Sequence, residues 1–141
     1  MARHAVDIQM RWSESDPAGI AFYPRFFEWF DIACAGLFDT LGLPWPVLFP
    51  ERGIVGVPIV ECGATFSSPV KWGDTMRVTA TVAWVKEKMF RVDYEVSIGE
   101  RHCASGFEVR AWVGKPATPG APLRALPIPE DVASKLKEED P

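Results

Sequence analysis

The chain has 141 residues, 48% of them apolar, and a formal net charge of −4. This is enough for one hydrophobic core but little for a second domain, and the negative balance offers no broad positive field for a nucleic-acid backbone. Cys34, Cys62 and Cys103 lie far apart with no C-x-x-C spacing, and only His4 and His102 could join them, so neither a metal site nor a disulfide framework is expected.

A reduced cytoplasm fits that cysteine usage. Arg3, Asp7, Arg11, Glu14 and Asp16 interrupt any apolar signal core, and no apolar run reaches spanning length. The expectation is a soluble, unprocessed protein with no membrane partner.

Val6, Ile8, Met10 and Trp12 alternate with Asp7, Gln9 and Arg11, which predicts a strand with one buried face. Ser13 to Gly19 breaks the alternation, and Pro24 suits a first helical turn, where its missing N–H costs nothing. From Arg25 to Leu41, Phe26, Phe27, Phe30, Ala33, Cys34, Leu37, Phe38 and Leu41 recur every three or four residues, opposite a face of Glu28, Asp31, Ala35 and Asp39. Gly42 and Pro44 end this helix, and the three prolines between Pro44 and Arg52 predict an irregular, packed connection.

Strands are predicted over Val57 to Phe66, Thr75 to Lys86, Met89 to Ile98 and Arg101 to Val113, with Gly99-Glu100 as a hairpin turn. In the last strand Phe107, Val109, Ala111 and Val113 share one face. Residues 116–141 read as a stiff proline-rich tail, with Glu130 to Glu139 able to form a short charged helix. The whole is one α+β domain over 1–141, a curved antiparallel sheet of about five strands round one long helix. Trp84, Trp112 and the long strand edges predict burial against a second copy, hence a homo-oligomer of at least two chains.

The stretch Asp16-Pro17-Ala18-Gly19 has the residues of a type I turn. Its position adds something a turn does not need. It sets a carboxylate in the loop that enters the long helix, beside the unpaired N–H groups of the helix's first turn. A carboxylate and an oxyanion-binding helix end are the two halves of an acyl-transfer site.

DPAGIAFYP at Asp16–Pro24, with Phe27-Glu28-Trp29-Phe30-Asp31 on the helix, closely resembles the 4-hydroxybenzoyl-CoA thioesterase family in its DPAG-containing branch. The likeness continues through Glu51–Val60, Lys86–Phe90 and Leu123–Pro129, and covers most of the chain from about Met10 to Glu130. It implies the hotdog fold and hydrolysis of an acyl-CoA thioester with no separate cofactor.

The resemblance places the family's essential aspartate on Asp16 and its carbonyl-polarising backbone N–H on Tyr23. An Asp beside the positive end of a helix is a weak base at neutral pH, which favours direct attack on the thioester, while general-base activation of water stays open. Where several branches of the superfamily carry a histidine after the loop, this chain has Pro24, as the hydroxybenzoyl branch does; this disfavours hydratase and dehydratase chemistry. His4 and His102 read as surface positions.

Asp31 matches a helix aspartate near the substrate's ring hydroxyl in the hydroxybenzoyl enzyme, and it also belongs to a solvated acidic face with Glu28 and Asp39. Phe22, Phe27, Trp45 and Pro58 are candidates to wall a flat aryl pocket. Lys86, Lys88 and Arg124 align with basic residues that the family uses around the nucleotide phosphates, although Glu87 replaces a basic residue among them. The competing reading is a non-catalytic acyl-CoA-binding hotdog protein, which has no need of a carboxylate at the helix entrance.

Overall fold

Period-two alternation in the middle of the chain produces the sheet. The computed structural model describes residues 1–139, so the last two residues of the expected tail, 140 and 141, lie outside the described residues. The main sheet contains β1 (Arg3–Gln9), β3 (Ile59–Phe66), β4 (Thr75–Val85), β5 (Met89–Ile98) and β6 (Arg101–Ala111). It is antiparallel throughout, in the order β1-β4-β5-β6-β3. A small second sheet joins β2 (Ile54–Gly56), β7 (Val113–Gly114) and β8 (Arg124–Ala125). The helices are α1 (Arg25–Thr40), α2 (Trp45–Arg52) and α3 (Glu130–Lys137).

Helix α1 lies on the concave face. Its Trp29, Phe30, Ala33, Cys34, Leu37 and Phe38 are fully buried, against Met76, Val78, Phe90, Val92, Tyr94 and Val96 of the sheet. Burying a large side chain of this kind contributes about 1.5–3 kcal/mol, so this contact is the main stabilising feature of the fold. Trp29, absent from the predicted apolar residues, lies on the same stripe, three residues after Phe26 and four before Ala33.

Several expectations need correction. The segment Pro44–Arg52 is not irregular, because α2 spans Trp45–Arg52 with Pro44 as N-cap, Pro46 in the first turn where no N–H is needed, and Gly53 at φ 65° ending it. The predicted strand over 57–66 begins only at Ile59 as β3, because Pro58 has no N–H for a ladder, and the separate short β2 precedes it at Ile54–Gly56. β1 starts at Arg3 and ends before Trp12, which stands exposed in a short 3-10 turn, Trp12–Glu14. Its inner face includes His4, whose ring lies against Gly36 of α1, so His4 is not a free surface position.

The faces of β6 are also reversed. Val92 pairs with Glu108 and Phe90 with Arg110, so the charged residues share the inner face of the sheet, while Phe107 and Val109 face outward. Apolar character and inward direction are opposed in this strand. Trp112, expected to meet a second copy, is buried within the chain itself.

The tail returns to the core. Val132, Ala133 and Leu136 of α3 are buried, the Leu136 carbonyl accepts from the Ala2 N–H, and Lys135 Nζ donates to the Leu41 carbonyl at the end of α1. Among the described residues no single helix is long and apolar enough to cross a membrane.

Gly106 marks the tightest helix–sheet approach. A Cβ there would stand 2.4 Å from Phe30 Cε2 and 3.0 Å from the Gly63 carbonyl oxygen. Gly106→Ala is expected to cost about 1–3 kcal/mol through overpacking. A urea unfolding midpoint equal to that of the parent chain would contradict this packing.

Candidate active site

The loop before α1 is pinned from several sides. Asp16 N–H donates to the Ile20 carbonyl at 2.8 Å, and Gly19 N–H to the Asp16 carbonyl at 3.0 Å, with Gly19 at φ 81°. Gly19 thus supplies the left-handed residue that the turn requires. Ala21 N–H donates to the Val70 carbonyl, which ties the loop to the connection before β4.

Glu14 holds the loop from beneath. It is 4% exposed, and its carboxylate accepts from the Arg11 N–H at 2.8 Å and from Trp29 Nε1 at 2.8 Å. Burial pushes this carboxyl upward, but those hydrogen bonds and the Arg11 charge outweigh it and hold Glu14 below the usual glutamate range. Its backbone carbonyl accepts from the Phe22 N–H. Sequence reasoning missed Glu14; the only signal was an acidic residue at the end of an alternating strand, which reads as solvated.

Asp16 is half-buried. Its Oδ1 accepts from the Ala18 N–H at 2.8 Å, as a turn aspartate does, and its Oδ2 accepts no hydrogen bond among the described residues. The turn and the available carboxylate oxygen therefore coexist. The first N–H groups of α1 are already used, Arg25 to the Phe22 carbonyl, Phe26 to Tyr23 and Phe27 to Pro24, whereas the Tyr23 N–H donates to no group among the described residues.

A cleft of about 860 Å³ collects these groups. Asp16, Phe22 and Tyr23 line it with Ile20, Phe26, Phe66 and Val70. Phe66, at the end of β3, meets Phe26 edge to face with ring centroids 4.9 Å apart. No local pattern links Phe66 to the loop, because their meeting depends on how β3 closes over α1.

Asp31, Phe27, Trp45 and Pro58 do not line this cleft. Asp31 lies two turns along α1, and its Oδ1 accepts from Arg110 Nη2 at 2.7 Å. Arg110 also donates to the Val57 carbonyl, beside Pro58, and its guanidinium lies 5.3 Å from the Trp45 ring centre. Asp31, Trp45 and Pro58 are thus gathered round one arginine that the sequence reading did not select. Phe27 is partly buried against Phe30, and with Tyr23, in the turn before α1, and Asp31 it forms one strip at four-residue spacing.

Lys86, Lys88 and Arg124 are exposed at the other end of the sheet. The Lys86 N–H donates to the Met89 carbonyl, the Lys88 carbonyl accepts from Trp112, and Arg124 pairs with Gly114 in the small sheet. The cleft borders the start of β4, while Lys86 follows its end. The 11 residues of β4 separate the two by about 35 Å.

Other reactive side chains are placed unfavourably for catalysis. Cys34 is fully buried, which pushes its thiol up to about 12. His102 is exposed on the outer sheet face, where the same Nε2 contacts both Glu95 at 2.6 Å and Ser105 at 3.0 Å, so it cannot relay a proton from the serine to the carboxylate. No group of three His, Cys, Asp or Glu among the described residues is arranged to hold a metal ion.

Residues 10–136 match the Thioesterase-like superfamily. The chain is 36% identical over 100 residues to 4-hydroxybenzoyl-CoA thioesterase of Pseudomonas sp. strain CBS-3, covering 69% of this chain and 70% of that one. It is 29% identical over 131 residues to 1,4-dihydroxy-2-naphthoyl-CoA hydrolase of Synechococcus sp. strain RCC307, covering 91% and 96%. Its structure superposes with a TM-score of 0.86 on an aspartate-to-asparagine variant of 4-hydroxybenzoyl-CoA thioesterase in complex with 4-hydroxybenzoyl-CoA, at 27% identity and covering 96% and 99%. The arrangement of one long helix and a curved antiparallel sheet is the hotdog fold.

The Glu14 contacts carry a pH signature. Because its folded-state pKa is depressed, its contribution to stability is present above the unfolded value and disappears as pH falls through the folded one. Glu14→Gln is expected to lower Tm at pH 7, with the gap to the parent closing below about pH 4. A gap in Tm that is constant from pH 7 to pH 3 would show that the charge of Glu14 contributes nothing.

Proposed function

The chain belongs to the Thioesterase-like superfamily, and on that footing we infer that it hydrolyses an acyl-CoA thioester to a carboxylic acid and coenzyme A. The observation that carries the site assignment is the shared cleft, where Asp16 Oδ2 and the Tyr23 N–H are both available. Docked against Tyr23, the thioester carbonyl is polarised, and the charge developing on its oxygen meets a donor fixed before the reaction starts. Asp16 attacks the carbonyl carbon, the C–S bond breaks to release the thiolate, and water hydrolyses the resulting anhydride to return the carboxylate. All of these groups come from the chain, so no cofactor is needed. The available Asp16 oxygen also separates this reading from a protein that only binds acyl-CoA. That an aspartate-to-asparagine variant of a relative was captured with its thioester substrate supports the role given to Asp16.

The acyl group we assign is aromatic with a ring hydroxyl. The two named relatives act on hydroxylated aryl thioesters. In this chain, the eight residue steps from Tyr23, in the turn that opens α1, to Asp31 rise about 12 Å at helical pitch. A hydroxybenzoyl group with a hydrogen bond at each end spans a similar length, about 12 Å. Phe27 lies between the two positions, where it can face the ring.

The nucleotide is held by a second copy. Within one chain Lys86, Lys88 and Arg124 are a full sheet length from the cleft, and β3 leaves one edge unpaired with Ile59, Val60 and Phe66 exposed. Antiparallel pairing of two β3 edges buries this apolar edge and sets the cationic end of one chain beside the cleft of the other. A reducing cytoplasm is the compartment that suits the free thiols Cys34, Cys62 and Cys103.

Thiol release from aryl-CoA substrates tests the site. Asp16→Asn is expected to lower kcat by about 10²–10⁴-fold; turnover within about tenfold of the parent would remove Asp16 from the mechanism. Lys88→Ala and Arg124→Ala are expected to raise KM several-fold with little change in kcat, because they remove binding to a remote part of the substrate. Sedimentation of the active enzyme as a monomer would refute the shared site.

A further inference from the structure

Arg110 occupies a place that neither stability nor the reaction described above requires. It is 4% exposed, on the inner face of β6, where α1 packs over the sheet. Its guanidinium makes four kinds of contact. Nε and Nη2 donate to Glu108 Oε1 at 3.2 and 3.0 Å, Nη1 to the Val57 carbonyl at 3.0 Å, and Nη2 to Asp31 Oδ1 at 2.7 Å, with the Trp45 ring alongside. Glu108 is itself fully buried and accepts from the Tyr94 hydroxyl. A buried charge set of this kind is seldom worth more than an apolar packing of the same volume, so stability alone is a weak reason for it.

What the set does accomplish is to reach from the interior to the open side of α1. Asp31 is the one member whose side chain is more than half exposed, at 55%. An aspartate on an exposed helix face samples several rotamers. This one is held by Oδ1, and its Oδ2 accepts no hydrogen bond among the described residues. The held carboxylate belongs to the same helix strip as Tyr23 and Phe27. The fork geometry of a guanidinium, fixed here by Glu108 and the Val57 carbonyl, suits this task in a way that a lysine does not.

We propose that Arg110 is a positioning residue for acyl-group selection: it fixes Asp31 through Oδ1 so that Oδ2 is presented to a hydroxyl on the aromatic ring of the substrate. The inference rests on the reading of Asp31 as the far end of the acyl pocket. A site organised to accept one substrate O–H discriminates against the analogue lacking it, because the organised acceptor is then left unpaired.

The test compares kcat/KM for 4-hydroxybenzoyl-CoA and benzoyl-CoA in the parent enzyme, Asp31→Asn, Arg110→Lys and the double variant Glu108→Gln/Arg110→Met. The double variant removes both buried charges together, so that no lone ion is left in the core, and circular dichroism confirms that it is folded. The parent is expected to prefer the hydroxylated thioester, and each Arg110 variant to lose about tenfold of that preference, mainly through KM for the hydroxylated substrate. If the Arg110 variants keep the parental preference while Asp31→Asn loses it, Asp31 is the selecting group and the inference about Arg110 is overturned. Equal losses on both substrates in the folded variants also overturn it, because they mark a structural role only. If the parent has no preference, or Asp31→Asn keeps it, the reading of Asp31 fails and takes the inference with it.

Discussion

Helix α1 buries one broad face against the sheet along its length and leaves the turn before its N-terminal end open to the cleft. Trp29, Phe30, Ala33, Cys34, Leu37 and Phe38 have no exposed surface, so the position of the helix is set by packing against β4, β5 and β6. Because that packing is dense, it also constrains where the end of the helix lies. The Tyr23 N–H can then serve as a preorganised donor, since its direction is paid for by the core rather than by the substrate.

Polar groups placed inside this packing link the core to the surface. Glu14 reaches Trp29 of α1 from the loop that carries Asp16, so the helix and the loop are referenced to each other by a buried hydrogen bond. Arg110 reaches Asp31 from the sheet in the same way, two turns further along. Each buried charge would be costly if unsatisfied, and each is hydrogen-bonded to another element. The loop, the helix and the sheet are thereby held in one relative arrangement at Asp16 and at Asp31.

The outer edge of the fold has the opposite character. β3 presents Ile59, Val60 and Phe66 with one edge of its backbone unpaired, next to the cleft. The cationic residues that suit coenzyme A are at the far end of the same sheet. In the proposed assembly an antiparallel partner would close this separation, and the site would then be built from two copies.

The sequence by itself determined the strands with clean alternation, β4 and β5, and the length of α1, because period and burial agree there. It also determined the Asp16–Tyr23 loop, whose residues are contiguous and whose turn chemistry is local. Its reading failed where direction depends on a neighbour. In β6 the alternation of Phe107 and Val109 with Glu108 and Arg110 says only that two faces differ; the pairing with β5 turned the charged face inward. In α2 three prolines argued against a helix, and their places in the first turn and near the end made one possible. Only the tertiary structure brought Glu14 to Trp29, Phe66 to the cleft and Arg110 to Asp31, because each contact joins residues at least 15 positions apart and rests on packing that no local pattern records.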